Sequence, residues 1–291
     1  MLHNSDVRSA FKDFLREESK SSSNKAPSYV RALDLLGSIL ARKGKTGYQF
    51  SNVWEITNPD TIRKLYEYVG EHRKKGETGI FTGEEPRSYW EKGFMSAALR
   101  SYLEFRVMAN HQNRLWDIFK SRQDLAPEEL SRHLHKQDVE AIEPLSVVKE
   151  AEGGKREGKD VRQVVKTRVN QDLFRRIMLD TYRHSCCLTG IGIDELLVAS
   201  HIVSWSEDAG NRLNPRNGLC LNALHDKAFD KGLISFDDNL CLLVSGEIEE
   251  HFANQTIEAN FASFEGKPIS LPEQFTPAPE FLAEHRKASK L

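Results

Sequence analysis

At 291 residues, 39% of them hydrophobic and 29% charged, the chain has the composition of a soluble protein of one large or two ordinary domains. No apolar run approaches the roughly 18 residues of a membrane-spanning helix. The charged opening MLHNSDVRSAFKDFLREE lacks a signal-peptide core, so a cytoplasmic protein without a membrane partner is expected. A formal net charge of −2, from 41 basic and 43 acidic side chains, makes no whole-chain case for nucleic acid.

The first hundred residues carry helical spacing. Val7, Phe11, Phe14 and Leu15 share one face, as do Tyr29, Leu33, Leu36 and Leu40. Between them KSSSNK (20–25) reads as a loop, and LARKGKTGYQFS (40–51) as another. Asn58-Pro59-Asp60 is a helix start: a capping side chain, a proline where no N–H is needed, and an acid favoured by the dipole. Ile62, Leu65, Tyr66 and Val69 supply the stripe behind it, and Trp90, Phe94, Ala98, Tyr102 and Phe105 form the next. Core packing alone explains these stripes. Residues 1–125 are therefore expected to form a helical domain without assignable chemistry, one that reads DNA, dimerises or contacts a partner.

Residues 126–160 change character, through APEELSRHLHKQDVEAIEP to EAEGGKREGKD. The Gly153-Gly154 pair amid charges can bury little, so this stretch is expected to be the interdomain linker. From Lys155 to Arg176, eight basic residues stand against three acids, a local excess of +5. Arg162, Lys166 and Arg168 are the candidate phosphate contacts of this stripe, although a solvated helix face also accounts for it.

Val165, Val169, Leu173 and Ile177, widened by Phe174, predict a helix that ends before the turn Cys186-Cys187-Leu188-Thr189-Gly190. LLVASHIV reads as a short strand and SEDAGNRLNPRNG as a polar loop. LCLNALHDKAFDKG reads as a strand running into a helix, with Gly232 as its C-cap. ISFDDNLCLLVS predicts a hairpin turning at Asp237-Asp238-Asn239.

The chemistry concentrates here. His201 ends a strand, Asn217 follows sixteen residues later beside a glycine, and His225 stands eight further on, in a helix. Phosphodiester hydrolysis needs such parts: a neutral imidazole that takes a proton from water near pH 7, and a divalent cation that stabilises charge building on the phosphate. A strand end and a helix facing each other can hold the two on opposite sides of one phosphate.

In order, the chain reads Thr189-Gly190, Ala199-Ser200-His201-Ile202, Trp205, Asn211-Arg212-Leu213, Pro215, Asn217-Gly218-Leu219, His225-Asp226 and Ala228-Phe229-Asp230. On these positions residues 161–245 resemble the HNH endonucleases. VKTRVNQDLFRR and PEQFTPAPEFLAEHR are similar to segments flanking that module in bacterial restriction endonucleases. The resemblance implies an α+β protein, a helical N-terminal domain joined to a ββα-metal nuclease domain with a C-terminal extension over 161–291. It implies His201 as general base and Asn217 as the asparagine whose amide pins the backbone positioning that base. It further implies His225 as helix-borne metal ligand, Arg212 among the DNA contacts, and one divalent ion, Mg²⁺ or Mn²⁺. The expected activity is DNA cleavage in restriction or phage defence, by a homodimer, since one such module cuts one strand.

The match departs from the family at one place that matters. Many HNH enzymes carry Asp or His just before the base as a first metal ligand, and here Ser200, a weak ligand, stands there. Phe229 occupies the position four residues after His225, which leaves Asp226 or Asp230 as further ligand candidates. Ser200 keeps open a second expectation, a catalytically weak DNA-binding or assembly protein that retains the HNH frame. Cys186, Cys187, Cys220 and Cys241 lack the paired C-x-x-C spacing of zinc-stapled modules, so free thiols and no structural zinc are expected.

Overall fold

The computed structural model describes residues 4–18, 24–42, 52–81, 86–140, 158–204, 210–289 and 291. It mixes helices with two small sheets and divides into two compact units, 1–110 with 143–162 and 111–142 with 163–291. Among the described residues no helix is long and apolar enough to cross a membrane.

The first unit contains helices α1 (Asn4–Glu18), α2 (Lys25–Arg42), α3 (Pro59–Lys75), α4 (Arg87–Trp90) and the start of α5 (Phe94–Ser121). The apolar stripes bury Val7, Phe11 and Leu15 on α1, Leu33, Leu36 and Leu40 on α2, and Ile62, Leu65 and Val69 on α3. At their edges the periodicity overreaches: Tyr29 and Tyr66 are half-buried and Phe94 is exposed. Asn58 caps α3 as its sequence predicts, accepting from the backbone N–H of Asp60 (2.8 Å) and Thr61 (3.3 Å). Phe11, Trp54 and Tyr102 pack edge to face or tilted at 5.4–5.8 Å, a dense aromatic centre. The buried Tyr102 hydroxyl donates to the carbonyls of Trp54 and Ile56, and burial pushes its pKa up to about 12.

The second unit takes the rest of α5, then α6 (Pro127–Glu140) and all but the start of α7 (Gly158–Thr181). Strands β1 (Leu197–His201) and β2 (Gly218–Asn222) form one antiparallel pair, and α8 (Ala223–Asp230) follows β2 directly. Strands β3 (Ile234–Phe236) and β4 (Leu242–Val244) form the second pair, and α9 (Pro279–Ala288) closes the chain. One hydrophobic core joins Phe119, Leu134, Phe174, Ile177, Leu221 and Phe229.

Part of the expected linker is therefore a packed helix. Leu130 and Leu134, one turn apart, are fully buried, the Ser131 hydroxyl donates to the Gly210 carbonyl (3.3 Å), and Glu128 pairs with Arg216 (3.0 Å). So narrow an apolar stripe is hidden by its charged neighbours. The Gly153-Gly154 pair, Trp205 and the loops at 20–23 and 43–51 lie outside the described residues, as do the side chains of Arg162, Lys166 and Arg168.

Turn chemistry follows the sequence. Gly232, at φ 65°, closes α8: its N–H donates to the Phe229 carbonyl (2.8 Å) and the Leu233 N–H to that of Ala228 (2.9 Å). This is the pair of hydrogen bonds of a left-handed helix cap, and only glycine takes that φ without strain. In the second hairpin the Asp237 carboxylate accepts from the N–H groups of Asn239 and Cys241, both at 2.8 Å.

Candidate active site

His201 ends β1 directly opposite Gly218, and Ser200 pairs with Leu219. The His201 ring lies on that of Phe174 from α7, centroids 3.6 Å apart and planes 17° from parallel. Its Nε2 sits 3.0 Å from the Arg212 carbonyl oxygen. A carbonyl only accepts, so Nε2 carries the proton and the neutral ring keeps its lone pair at Nδ1. Burial lowers the His201 pKa below the ordinary histidine value, and the carbonyl opposes that shift. The ring is thus neutral at pH 7.

Gly218 is required for space. Its backbone is ordinary extended chain (φ −152°), but a Cβ there would come within 2.5 Å of Phe174 Cζ and closer still to Met178 Sδ. Both neighbours are fully buried and can yield only by disturbing the packing around them. Gly218→Ala is therefore expected to destabilise the unit by about 1–3 kcal/mol. It should also tilt Phe174 against His201. Urea unfolding and a cleavage assay on the folded fraction check the two effects, and an unchanged midpoint would mean that α7 does not press on the hairpin as described.

Asn217 is 1% exposed and its amide is fully used. Oδ1 accepts from the Val203 N–H (2.9 Å), and Nδ2 donates to the carbonyls of Val203 (3.2 Å) and Asn211 (3.4 Å). Its own carbonyl accepts from the Ile202 N–H (3.1 Å). The chain leaving His201 is thereby tied to the start of β2. Arg212 meets this arrangement through its backbone carbonyl on His201.

Facing the strand end, α8 presents Asp226 and Asp230, one turn apart. With Ser200, His201 and Lys231 they line a cleft of about 540 Å³. The buried Ser200 hydroxyl donates to Asp226 Oδ1 at 2.5 Å. Burial raises the Asp226 pKa above the usual carboxylate range, the Ser200 hydrogen bond lowers it, and the charge of Asp230 raises it further.

The expectation for His225 needs correcting. Its side chain is fully buried and does not line the cleft. Nε2 donates to the Asn260 carbonyl (2.6 Å), and the ring packs edge-on against Phe261 and Phe264. Its Nδ1 is buried without a hydrogen-bond partner among the described residues. The cause is rotational. Asn222 caps α8 by accepting from the N–H groups of Leu224 and His225, both at 3.1 Å. In that setting 225 and 228 face the core, 226 and 230 face the cleft, and the buried Phe229 lies between the two. Neighbouring helical positions differ by about 100°.

Among the described residues no group of three or more His, Cys, Asp and Glu side chains converges as a metal cage. Where β1 faces α8 the cleft offers oxygen, the carboxylates of Asp226 and Asp230 and the Ser200 hydroxyl, beside the His201 imidazole. Such a set fits a hard divalent cation that keeps much of its water and takes phosphate oxygens as further ligands. Cys186, Cys187 and Cys220 are buried free thiols, and burial pushes Cys187 well up and Cys220 up to about 12, so those two stay protonated at neutral pH.

Sequence reasoning misses two residues beside this cleft. In the sequence Phe174 reads as core only, and its stacking on His201 has no signal beyond its place in the stripe. His285, from α9, also lines the cleft. Its signal is the tail PEFLAEHR, similar to segments flanking the nuclease module.

Residues 186–237 match the family model described as HNH endonuclease, so the C-terminal region carries an HNH domain of nuclease type. The match includes β1, β2, α8 and β3, and leaves Phe174 and α9 outside it. No curated protein matches the chain.

Proposed function

We propose that the protein is a metal-dependent DNA endonuclease that hydrolyses phosphodiester bonds in the cleft between β1 and α8. One observation carries this reading: a neutral imidazole, oriented through Nε2 by the Arg212 carbonyl, opens on the cleft that holds Asp226 and Asp230. His201 Nδ1 takes the proton of the attacking water. Phe174 and the Arg212 carbonyl keep the ring from turning, and the Asn217 amide keeps the strand end in place. Asp226, with Asp230, holds the divalent ion, and Ser200 orients the Asp226 carboxylate, taking no place as a ligand itself. That ion, Mg²⁺ or Mn²⁺, supplies positive charge to the scissile phosphate and leaving oxygen.

Restriction or phage defence is the biological role we infer, with residues 1–125 choosing the DNA. The supporting feature is a helical first unit in the same chain as an HNH domain. Incubating supercoiled plasmid with and without Mg²⁺ or Mn²⁺ tests the activity, and sequencing the product ends tests the selectivity. Intact plasmid at saturating metal would favour the other reading, a DNA-binding protein on a retained HNH frame. The occupied Ser200 hydroxyl is the feature on its side.

The basic stripe is proposed to track the DNA backbone. Neutralising Arg162, Lys166 and Arg168 should flatten the slope of log affinity against log salt by about 0.9 for each phosphate that the protein then leaves to its counterions, similarly on all sequences. A titration that overlays the unmodified protein would make the stripe a solvated helix face.

A further inference from the structure

Helix α9 lies beyond the segment that matches the HNH family, yet it is clamped onto the helix that carries the cleft carboxylates. Leu282 is buried, and the hydrogen bonds of two neighbouring residues do the rest. The His285 ring lies flat on Phe229 of α8, centroids 3.7 Å apart and planes within 4°. Its Nε2 donates to the Phe229 carbonyl (3.1 Å), while the Ser235 hydroxyl of β3 donates to Nδ1 (2.9 Å). Arg286 donates to the Phe236 carbonyl (2.6 Å) and to Asp238 (2.5 Å). One imidazole thus joins α9, α8 and β3.

The place of that contact matters. The Phe229 carbonyl belongs to the last turn of α8 and already accepts from the Gly232 N–H (2.8 Å). His285 occupies its remaining acceptor capacity. Asp230 follows Phe229 directly, and Asp226 lies one turn before Asp230. An apolar side chain would close the core here just as well. A ring bonded at both nitrogens does more, because it fixes how far α8 can roll, and a roll of α8 moves both carboxylates relative to His201.

We infer that α9 is a working part of the nuclease site, with His285 as a positioning residue that holds the Asp226 and Asp230 carboxylates in the register a divalent cation requires. The inference rests on the reading of those carboxylates as the cation's ligands. Groups that orient metal ligands from behind commonly contribute about 10–100-fold in metal affinity.

The test is Mn²⁺ binding to the full chain, followed by electron paramagnetic resonance of the free ion, with thermal melting alongside. Asp226→Asn is the control for binding at this cleft. His285→Phe keeps a ring on Phe229 and removes its hydrogen bonds, and is expected to weaken Mn²⁺ binding about tenfold or more. His285→Gln keeps a donor for the Phe229 carbonyl and loses the ring, and should recover most of that affinity. Ser235→Ala removes only the nearer of the two hydroxyls at Nδ1, leaving that of Ser289 at 3.2 Å, and should give a smaller loss, which keeps the test open if His285→Phe does not fold.

A purely structural His285 would lower melting temperatures and leave the Mn²⁺ affinity of the folded variants as in the unmodified protein. That result overturns the inference, as would losses in the two His285 variants that simply follow their melting order. So would an unmodified protein that binds Mn²⁺ no better than Asp226→Asn. If Mn²⁺ binds through Asp226 and depends on His285, but plasmid stays intact, the positioning role stands and the nuclease reading fails alone.

Discussion

Replacing His201 with alanine is expected to slow single-turnover DNA cleavage by about 10²–10⁴-fold while leaving DNA affinity nearly unchanged. The imidazole moves a proton and contributes little to holding phosphate, so its loss should fall on the chemical step. The geometry adds a condition on pH. Only the neutral ring has a lone pair at Nδ1, and burial holds the His201 pKa below the ordinary histidine value of 6.5. Protonation below that pKa removes the base. The acid limb of kcat/KM, which reports the free enzyme, should therefore have its midpoint below 6.5 and give way to a plateau at neutral pH. A midpoint above 6.5 would mean that a neighbouring anion, not burial, governs the ring. A His201→Ala variant retaining more than about a tenth of the rate would remove His201 from the mechanism.

How much of this was legible depends on the range of the interactions involved. The Asn58 cap, the Gly232 helix end and the Asp237 turn are local, each decided within about five residues, and their residue types state the geometry outright. The His201 strand end and the Asn217 tether were legible through an ordered pattern that also fixes the register of β1 on β2. What could not be read was rotation. His225 and Asp226 are adjacent, either suits a cation, and only the packing of α8 on Phe261 turns the first inward and the second outward. Helix α6 was hidden for a related reason, since a stripe as short as Leu130 and Leu134 gains its meaning only from the surface it meets. The tail that forms α9 was legible only as a flanking segment, and its contact with α8 was not, because the ring on Phe229 joins positions 56 residues apart.

The sharpest separation between the two α8 residues is expected from a pair of variants. Asp226→Asn keeps the volume and an acceptor for the Ser200 hydroxyl, so the fold should survive it. Burial and the nearby charge of Asp230 raise the Asp226 pKa in the folded protein. The sign follows: a carboxyl whose folded pKa lies above its unfolded value opposes folding at neutral pH, and the penalty is relieved as pH falls through that range. Without metal at pH 7, Asp226→Asn should then melt no lower than the unmodified protein. A bound cation reverses the balance. Mn²⁺ bound only by the folded state raises stability by about 2.7 kcal/mol at a hundredfold excess over its dissociation constant, and Asp226→Asn should lose most of that gain together with cleavage. His225→Ala is expected to do the opposite. It opens a cavity beside Phe261 and Phe264 and leaves the Asn260 carbonyl without its donor, at a cost of about 2–4 kcal/mol. The surviving folded fraction should keep its full Mn²⁺-dependent rise in melting temperature. Melting curves of both variants at pH 7, with and without Mn²⁺, give the answer. A Mn²⁺ response lost in His225→Ala and retained in Asp226→Asn would return the ligand to the histidine. It would also require α8 to be turned by about one residue, roughly 100°, from the setting in which Asn222 caps it.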